Sequence, residues 1–391
     1  MPEIKNNEMY LLTGATGFLG SHIMAELLLK EKKVVITGRA SKNESLKQRI
    51  QILLHWFGIA HLEEMLEFYE TDFLKTRLGL DIVEYDDLCT KNLTIIHCAS
   101  DTSFAEKNRK RVMKSNVDNL TEILNFALNS RTPCFHFIST AYAVGTDIVE
   151  SPEVPVNSTH FTNVYEESKA YAENIVSFRC REHEIPFTII RPSIVYGNSI
   201  SGRSLKFNAL YYPVRFLQYI KDIYLNDIKN NGGGKSTKNG IYLNDKGVLH
   251  LPLRIFIPNE GKINLIPVDY FTATFFSIIE NPGNETFFHI TSNTPKTMVK
   301  LASYTERFLN ITGIEIVIGA SDKNELRNPT EELFDHFIKV YRPYISDKRV
   351  FIRQNTDQAT NGDLPPDFTY EIFNKCMSFA DSVDWGKNLF T

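Results

Sequence analysis

Residues 9–20 read Met9-Tyr10-Leu11-Leu12-Thr13-Gly14-Ala15-Thr16-Gly17-Phe18-Leu19-Gly20, a short apolar run that gives way to three evenly spaced glycines. A continuous apolar run of this length suits a strand buried on both faces, as in a parallel sheet. The glycines predict a tight turn into a helix over Ser21 to Lys30. Glycine is needed there so that the backbone can approach a pyrophosphate held at the helix N-terminus. Gly14, Thr16, Gly17, Phe18, Leu19 and Gly20 are the first candidate cofactor-binding residues.

Outward from this turn the alternation continues. Lys33 to Arg39, Leu93 to Cys98, Cys134 to Ile138 and Phe187 to Ile190 read as strands, with Val117 to Leu128 and Tyr165 to Cys180 as helices. Strands alternating with helices predict an α/β chain, a doubly wound parallel sheet with helices on both faces. After Gly197 the rhythm breaks. Ser199 to Tyr224 is aromatic-rich and helical in pattern, and Phe207 to Tyr224 suits a core or the wall of an apolar channel. Asn230 to Asn239 is polar and glycine-rich, the pattern of a mobile loop. Lys262 to Asp269 reads as an extended segment returning to the main body, followed by a helix to about Ile279. The expected division is a dinucleotide-binding domain over 1–197, with about 262–290 returning to it, and a smaller α+β lobe over 198–391.

Composition narrows the function. The chain has 391 residues, with 43 Lys and Arg against 47 Asp and Glu. That balance excludes the large basic excess of a nucleic-acid binder. Its five cysteines form no CxxC and its histidines no HxxxH or HExxH, so neither a disulfide framework nor a metal site is expected. The opening residues carry no basic and then apolar leader. No clean apolar run reaches about 18 residues, Tyr270 to Ile279 being the nearest. A cytoplasmic protein without a transmembrane segment is the expectation.

Three features carry chemistry. The second strand ends in Gly38-Arg39 where an acid would bind a ribose 2′-hydroxyl, so Arg39 favours the 2′-phosphate of NADPH. Lys42 and Arg49 are possible helpers, although Arg49 reads better as a solvated charge. Tyr165 and Lys169 stand four apart on one helix face, which brings an ammonium near a phenol and lowers its pKa toward a proton donor. The strand ending at Ile138 delivers Ser139 and Thr140 beside them, and Thr140 is placed to hydrogen-bond the same carbonyl oxygen. By contrast Gly232-Gly233-Gly234-Lys235-Ser236-Thr237 only imitates a phosphate loop. Lys229 stands where that motif needs glycine, and no strand precedes it.

TGATGFLG, the FIST strand end, YEESK and RPSIVYG (Arg191 to Gly197) stand in the order seen in the extended short-chain dehydrogenase/reductases, which the chain resembles. Within that family it is most similar to the male-sterility or fatty acyl-CoA reductase-like branch, which includes thioester reductase domains. Thr71-Asp72-Phe73, His97-Cys98-Ala99-Ser100, Ser139-Thr140-Ala141-Tyr142, Asn264 to Tyr270 and the stretch from Tyr344 to Asn355-Thr356 carry this likeness. The resemblance implies a Rossmann-type fold and a catalytic set of Thr140, Tyr165 and Lys169, with Lys169 also holding the nicotinamide ribose. Asp72 and Phe73 would border the adenine, and Ala99 and Ser100 the middle of the cofactor. Pro192, Ser193 and Val195 would pass under the nicotinamide. Asn116 matches a family position near the lysine, with helix capping equally open. The implied activity is NADPH-dependent reduction of an acyl thioester to an aldehyde or on to an alcohol. No adenylation or carrier domain is visible, so the acyl group would arrive in trans on coenzyme A or an acyl carrier protein. The same fold also serves nucleotide-sugar epimerases and dehydratases, ketone or aldehyde reductases, and non-catalytic dinucleotide sensors.

Overall fold

The computed structural model describes residues 8–319 and 327–390. The first half runs β1 (Met9–Thr13), α1 (Phe18–Leu29), β2 (Lys33–Gly38), α2 (Leu46–Phe57), β3 (Leu66–Glu70), α3 (Ile82–Thr90), β4 (Leu93–His97), α4 (Arg109–Met113), α5 (Leu120–Asn129), β5 (Phe135–Ile138), β6 (Glu150–Ser151), α6 (Val164–Glu182), β7 (Phe187–Pro192) and β8 (Ile194–Tyr196). The second runs α7 (Tyr211–Asn230), α8 (Gly234–Lys238), β9 (Tyr242–Leu243), β10 (Leu249–Ile257), β11 (Leu265–Pro267), α9 (Val268–Glu280), β12 (Phe287–Ile290), α10 (Met298–Leu309), β13 (Ile311–Ile318), α11 (Pro329–Ile338), α12 (Arg342–Ile345), β14 (Val350–Phe351), α13 (Gln354–Ala359) and α14 (Tyr370–Ser382).

Seven strands form one sheet in the order β12-β7-β5-β4-β1-β2-β3, every neighbouring pair parallel. β1 sits between β2 and β4, with Leu12 opposite Ile36 on one side and Ile96 on the other. Helices cover both faces. On one, Ile23, Met24 and Leu27 of α1 pack with Phe271 and Phe275 of α9; on the other, Leu88, Ile123, Phe126 and Val176 come from α3, α5 and α6. This is the doubly wound arrangement, and it explains why the central strands read as unbroken apolar runs.

Local signals set the helix ends that flank the site. Ser45 and Gln48 form a capping box at α2, which stops at Gly58 with φ +74°. Asn163 caps α6 by accepting from the Glu166 amide at 3.1 Å.

β12 returns to the sheet beside β7, and β11 pairs with β8 just beyond it. A second core gathers Leu217, Leu253, Phe334, Phe373 and Met377 among α7, β10, α11 and α14. Two expectations are corrected here. The helix expected from Ser199 begins only at Tyr211 and runs on to Asn230. The glycine-rich stretch after it is not an open loop: Gly232 and Gly233 adopt φ near +70° and turn the chain into the short α8. Buried Ser236 then donates to Asp227 at 2.7 Å. No described helix is long and apolar enough to cross a membrane.

Candidate active site

The carboxyl ends of β1 and β4 are stitched together by one side chain. Thr13 Oγ1 accepts from the Cys98 and Ala99 amides at 3.2 and 3.1 Å and lies 3.0 Å from His97 Nδ1. Buried His97 is held neutral, its pKa pushed down to about 3 by burial. Between these strand ends Gly14 sits at φ +73°, and a Cβ there would meet the Ala99 nitrogen at 2.6 Å. The Gly17 amide donates to the Gly14 carbonyl at 2.9 Å, closing the turn. Gly17 also precedes α1, whose first turn carries no acidic residue. That combination leaves a helix N-terminus open to an anion.

The turn floors a cleft of about 720 Å³. Gly14, Thr16 and Gly17 line one end, Arg39, Arg49, Asp72 and Phe73 another, and Ala99 and Ser100 the stretch between. Arg49 donates to the Arg39 carbonyl at 3.2 Å. Cleft residues that the sequence did not single out include Thr37, Arg111, Lys114 and Lys206, and Thr71 stands there beside Asp72. Thr37 and Thr71 hold buried hydroxyls with no hydrogen-bond partner. Glycines in the floor, unpartnered hydroxyls in the wall and an excess of cations fit a phosphorylated dinucleotide.

Phe18, Leu19 and Gly20 turn away from this cleft. Phe18 packs edge-on against His22, with ring centroids 5.4 Å apart, and Leu19 joins the core. A Cβ on Gly20 would collide with the Gly14 carbonyl, so this glycine serves close packing of helix on turn.

Thr140 and Tyr165 do come together. Thr140, just beyond β5, lines the same pocket as the Tyr165 phenol, and burial pushes that phenol well above its ordinary pKa. Lys169 does not act as the spacing suggested. Its ammonium donates to the Ile138 carbonyl at 2.7 Å and lies 4.7 Å from the centre of the Phe137 ring. Burial lowers its pKa to about 8. Ser139 is engaged elsewhere, donating to Glu173, which pairs with fully buried Arg191 at 2.7 Å.

Asn116 is no cap. It lies in a π-helical turn, Lys114–Asp118, that breaks the helix between α4 and α5. Its side chain accepts from the Asp101 amide at 2.7 Å and the Ser100 hydroxyl at 3.2 Å, and donates to Ser168 at 2.9 Å. One residue thus ties the cleft to the helix that carries Tyr165 and Lys169.

A second cavity, of about 270 Å³, opens at Thr140 and Tyr165 and extends among α7, α10, α11 and α14. Ser193 and Val195 line this cavity rather than the cleft, and Pro192 lines neither, its carbonyl accepting from Thr140 at 3.5 Å. Val214 and Leu217 of α7 face it, whereas Phe207 belongs to the core. Phe104, Tyr142 and Tyr344 surround Tyr165, the Phe104 ring 5.8 Å from it. Among the described residues no cluster of His, Cys, Asp or Glu could hold a metal ion.

A family model described as male sterility protein matches residues 12–275. The nonribosomal peptide synthetase asaC of Aspergillus flavus is 24% identical over 395 residues, covering 95% of this chain and 34% of that protein. The chain therefore spans about a third of the length of that relative. Among solved structures, the terminal R domain from the myxalamid PKS-NRPS biosynthetic pathway superposes with a TM-score of 0.73 at 18% identity, covering 98% of this chain and 92% of that one. A thiolation-reductase di-domain from an archaeal non-ribosomal peptide synthetase gives 0.70 at 19%, covering 97% and 76%. Both share the fold.

Proposed function

The chain belongs to the male sterility protein family, NAD(P)H-dependent oxidoreductases of the extended short-chain dehydrogenase/reductase type, and from that premise we propose that it reduces an acyl thioester to an aldehyde with NADPH. The observation that carries this reading is the position of Thr140 and Tyr165 as the polar end of an otherwise apolar cavity. The dinucleotide cleft lies close by: Asn116 ties Ser100 and Asp101 on its wall to Ser168, in the helix that carries Tyr165.

Gly14, Thr16 and Gly17 would cradle the pyrophosphate, and Arg39 with Arg49 the 2′-phosphate. Asp72 and Phe73 border the adenine, Ala99 and Ser100 the middle, and Lys169 the ribose. A reduced nicotinamide bound there supplies hydride to the thioester carbonyl carbon. Burial keeps the Tyr165 phenol protonated, so it donates to the carbonyl oxygen while Thr140 holds that oxygen in place. Expulsion of the thiol from the resulting hemithioacetal leaves the aldehyde; reaching the alcohol would need a second hydride from a second reduced cofactor.

Residues 1–197 with about 262–290 form the cofactor part in this reading, and the rest the substrate lobe. The acyl group arrives bound to a carrier, a view supported by the synthetase relative and by the neighbour that joins a thiolation unit to a reductase. Five free cysteines suit a reducing, cytoplasmic setting.

The test is NADPH consumption with parallel thiol titration against acyl thioesters, a free aldehyde and a nucleotide sugar. One thiol released per aldehyde formed is the expected result. Activity on the aldehyde alone, without thiol release from any thioester, would make the protein a carbonyl reductase instead.

A further inference from the structure

Thioester chemistry needs a polar end to the cavity but says nothing of its depth or lining. Among the described residues its lining contains no Asp, Glu, Lys, Arg, His, Asn or Gln. Two of its hydroxyls are already engaged. Thr305 Oγ1 donates to the Leu301 carbonyl of its own helix at 2.9 Å. The Tyr344 hydroxyl accepts from Asn163 at 2.7 Å. Ser193 Oγ, in contrast, is buried without a partner, and it belongs to the segment that follows the Pro192 carbonyl bound by Thr140. Free hydrogen-bonding capacity is thus concentrated where the carbonyl would lie.

Away from that end the walls are core. Leu217, Phe334, Ile338 and Phe373 are each no more than 2% exposed, so the cavity is closed at its inner end by packed side chains. A peptidyl group would bring an N–H and a C=O for every residue, each of which must find a partner when buried. The side chains of Leu217, Phe334, Ile338 and Phe373 offer none. An alkyl chain has no such demand.

Resting on the thioester-reductase reading, we infer that the cavity takes one straight, unsubstituted alkyl chain of medium length, in preference to a peptidyl group. Its volume of about 270 Å³ sets the length. A methylene fills about the 30 Å³ of a liquid water molecule, which gives room for about nine carbons. Ala302 and Thr305, one turn apart on α10, both line the cavity, so a larger side chain at Ala302 takes up part of that volume.

The full chain can be tested without turnover by calorimetric titration with straight-chain alcohols from butanol to dodecanol and with N-acetyl-dialanine amide. Affinity rises about fourfold per methylene and levels off near nonanol or decanol, while the dipeptide amide shows no binding. Ala302→Phe moves the levelling point down by about three carbons, since a phenyl ring displaces that many methylene-sized units. Ala302→Val, a milder filling, moves it in the same direction and stands in if the larger side chain prevents folding. An affinity independent of chain length, a dipeptide that binds as well as octanol, or a levelling point unmoved in a folded variant overturns the inference.

Thioesters of the same chain lengths, with a peptidyl thioester beside them, separate the two readings. If the alcohol series behaves as described and no thioester is reduced, the reductase reading fails and the alkyl site stands. If thioesters are reduced but the peptidyl one is preferred to the decanoyl one, the alkyl site fails and the reductase stands.

Discussion

The Arg349 guanidinium lies 3.4 Å from Glu166 Oε2, so a residue after α12 is clamped to the first turn of α6, directly beside Tyr165. Glu166 is fully buried, and Arg349 also holds Asp347 at 2.7 Å and the Tyr142 and Gly145 carbonyls at 3.3 and 3.2 Å. Removing the cation strands a buried carboxylate, which typically costs about 3–5 kcal/mol. Arg349→Met therefore lowers the urea midpoint sharply, and Arg349→Lys recovers part of the loss. A drop of under about 1 kcal/mol would show that water or relaxation replaces the pair.

Tyr165→Phe removes the proposed proton donor and little else. Turnover falls by about 10²–10⁴-fold, while the NADPH dissociation constant, read by fluorescence titration, changes less than about twofold, because the phenol belongs to the apolar cavity and not to the cleft. Near-normal turnover in this variant would remove Tyr165 from the mechanism.

Lys169 gives a pH signature. Burial lowers its pKa to about 8, so the ammonium is present below that pH and lost above it. If it holds the cofactor, kcat/KM, which reports the free enzyme, declines as pH climbs past about 8. Stability moves the other way. The unfolded chain keeps its lysine protonated to about 10.4, so protonation favours unfolding, and the folded state gains stability as pH rises from about 8 toward that value. Activity profiles and urea midpoints across this window should diverge. A flat kcat/KM up to pH 10 would disconnect the ammonium from catalysis.

Cofactor choice rests on the cations at the outer end of the cleft. Replacing both Arg39 and Arg49 with alanine is expected to reduce the preference for NADPH over NADH by about 10- to 100-fold, the range of one or two charge-assisted contacts. Affinity for NADH should hardly move. Equal losses for both cofactors would assign the arginines to the pyrophosphate instead.

Much of the sheet was legible because its signals are local. Leu93 to Cys98 and Cys134 to Ile138 were read to within one residue of β4 and β5, since a strand buried on both faces is an unbroken apolar run. The glycine turn was legible for the same reason, although Gly20 proved to be a packing glycine, a distinction that needs the Gly14 carbonyl in view. The partner of Lys169 was not legible. Helix periodicity places Tyr165 above it but says nothing of the Ile138 carbonyl, which arrives from another strand. Lys206 reaches the cleft from a loop whose course depends on tertiary packing, and Arg349 finds Glu166 across 183 positions. The Asn116 turn escaped because a π-helical insertion leaves no mark in apolar spacing.

The pairing of β7 with β12, which sets Ile189 against Phe287, has a consequence for how the molecule is made. The outer edge of β7 stays without its neighbour until Phe287 to Ile290, about a hundred positions further along, have been synthesised. During that interval an edge carrying Ile189 and Ile190, both fully buried in the finished sheet, is a template for pairing with another nascent chain. Folding of this protein is therefore a race between completion of its own sheet and association with its neighbours on the polysome.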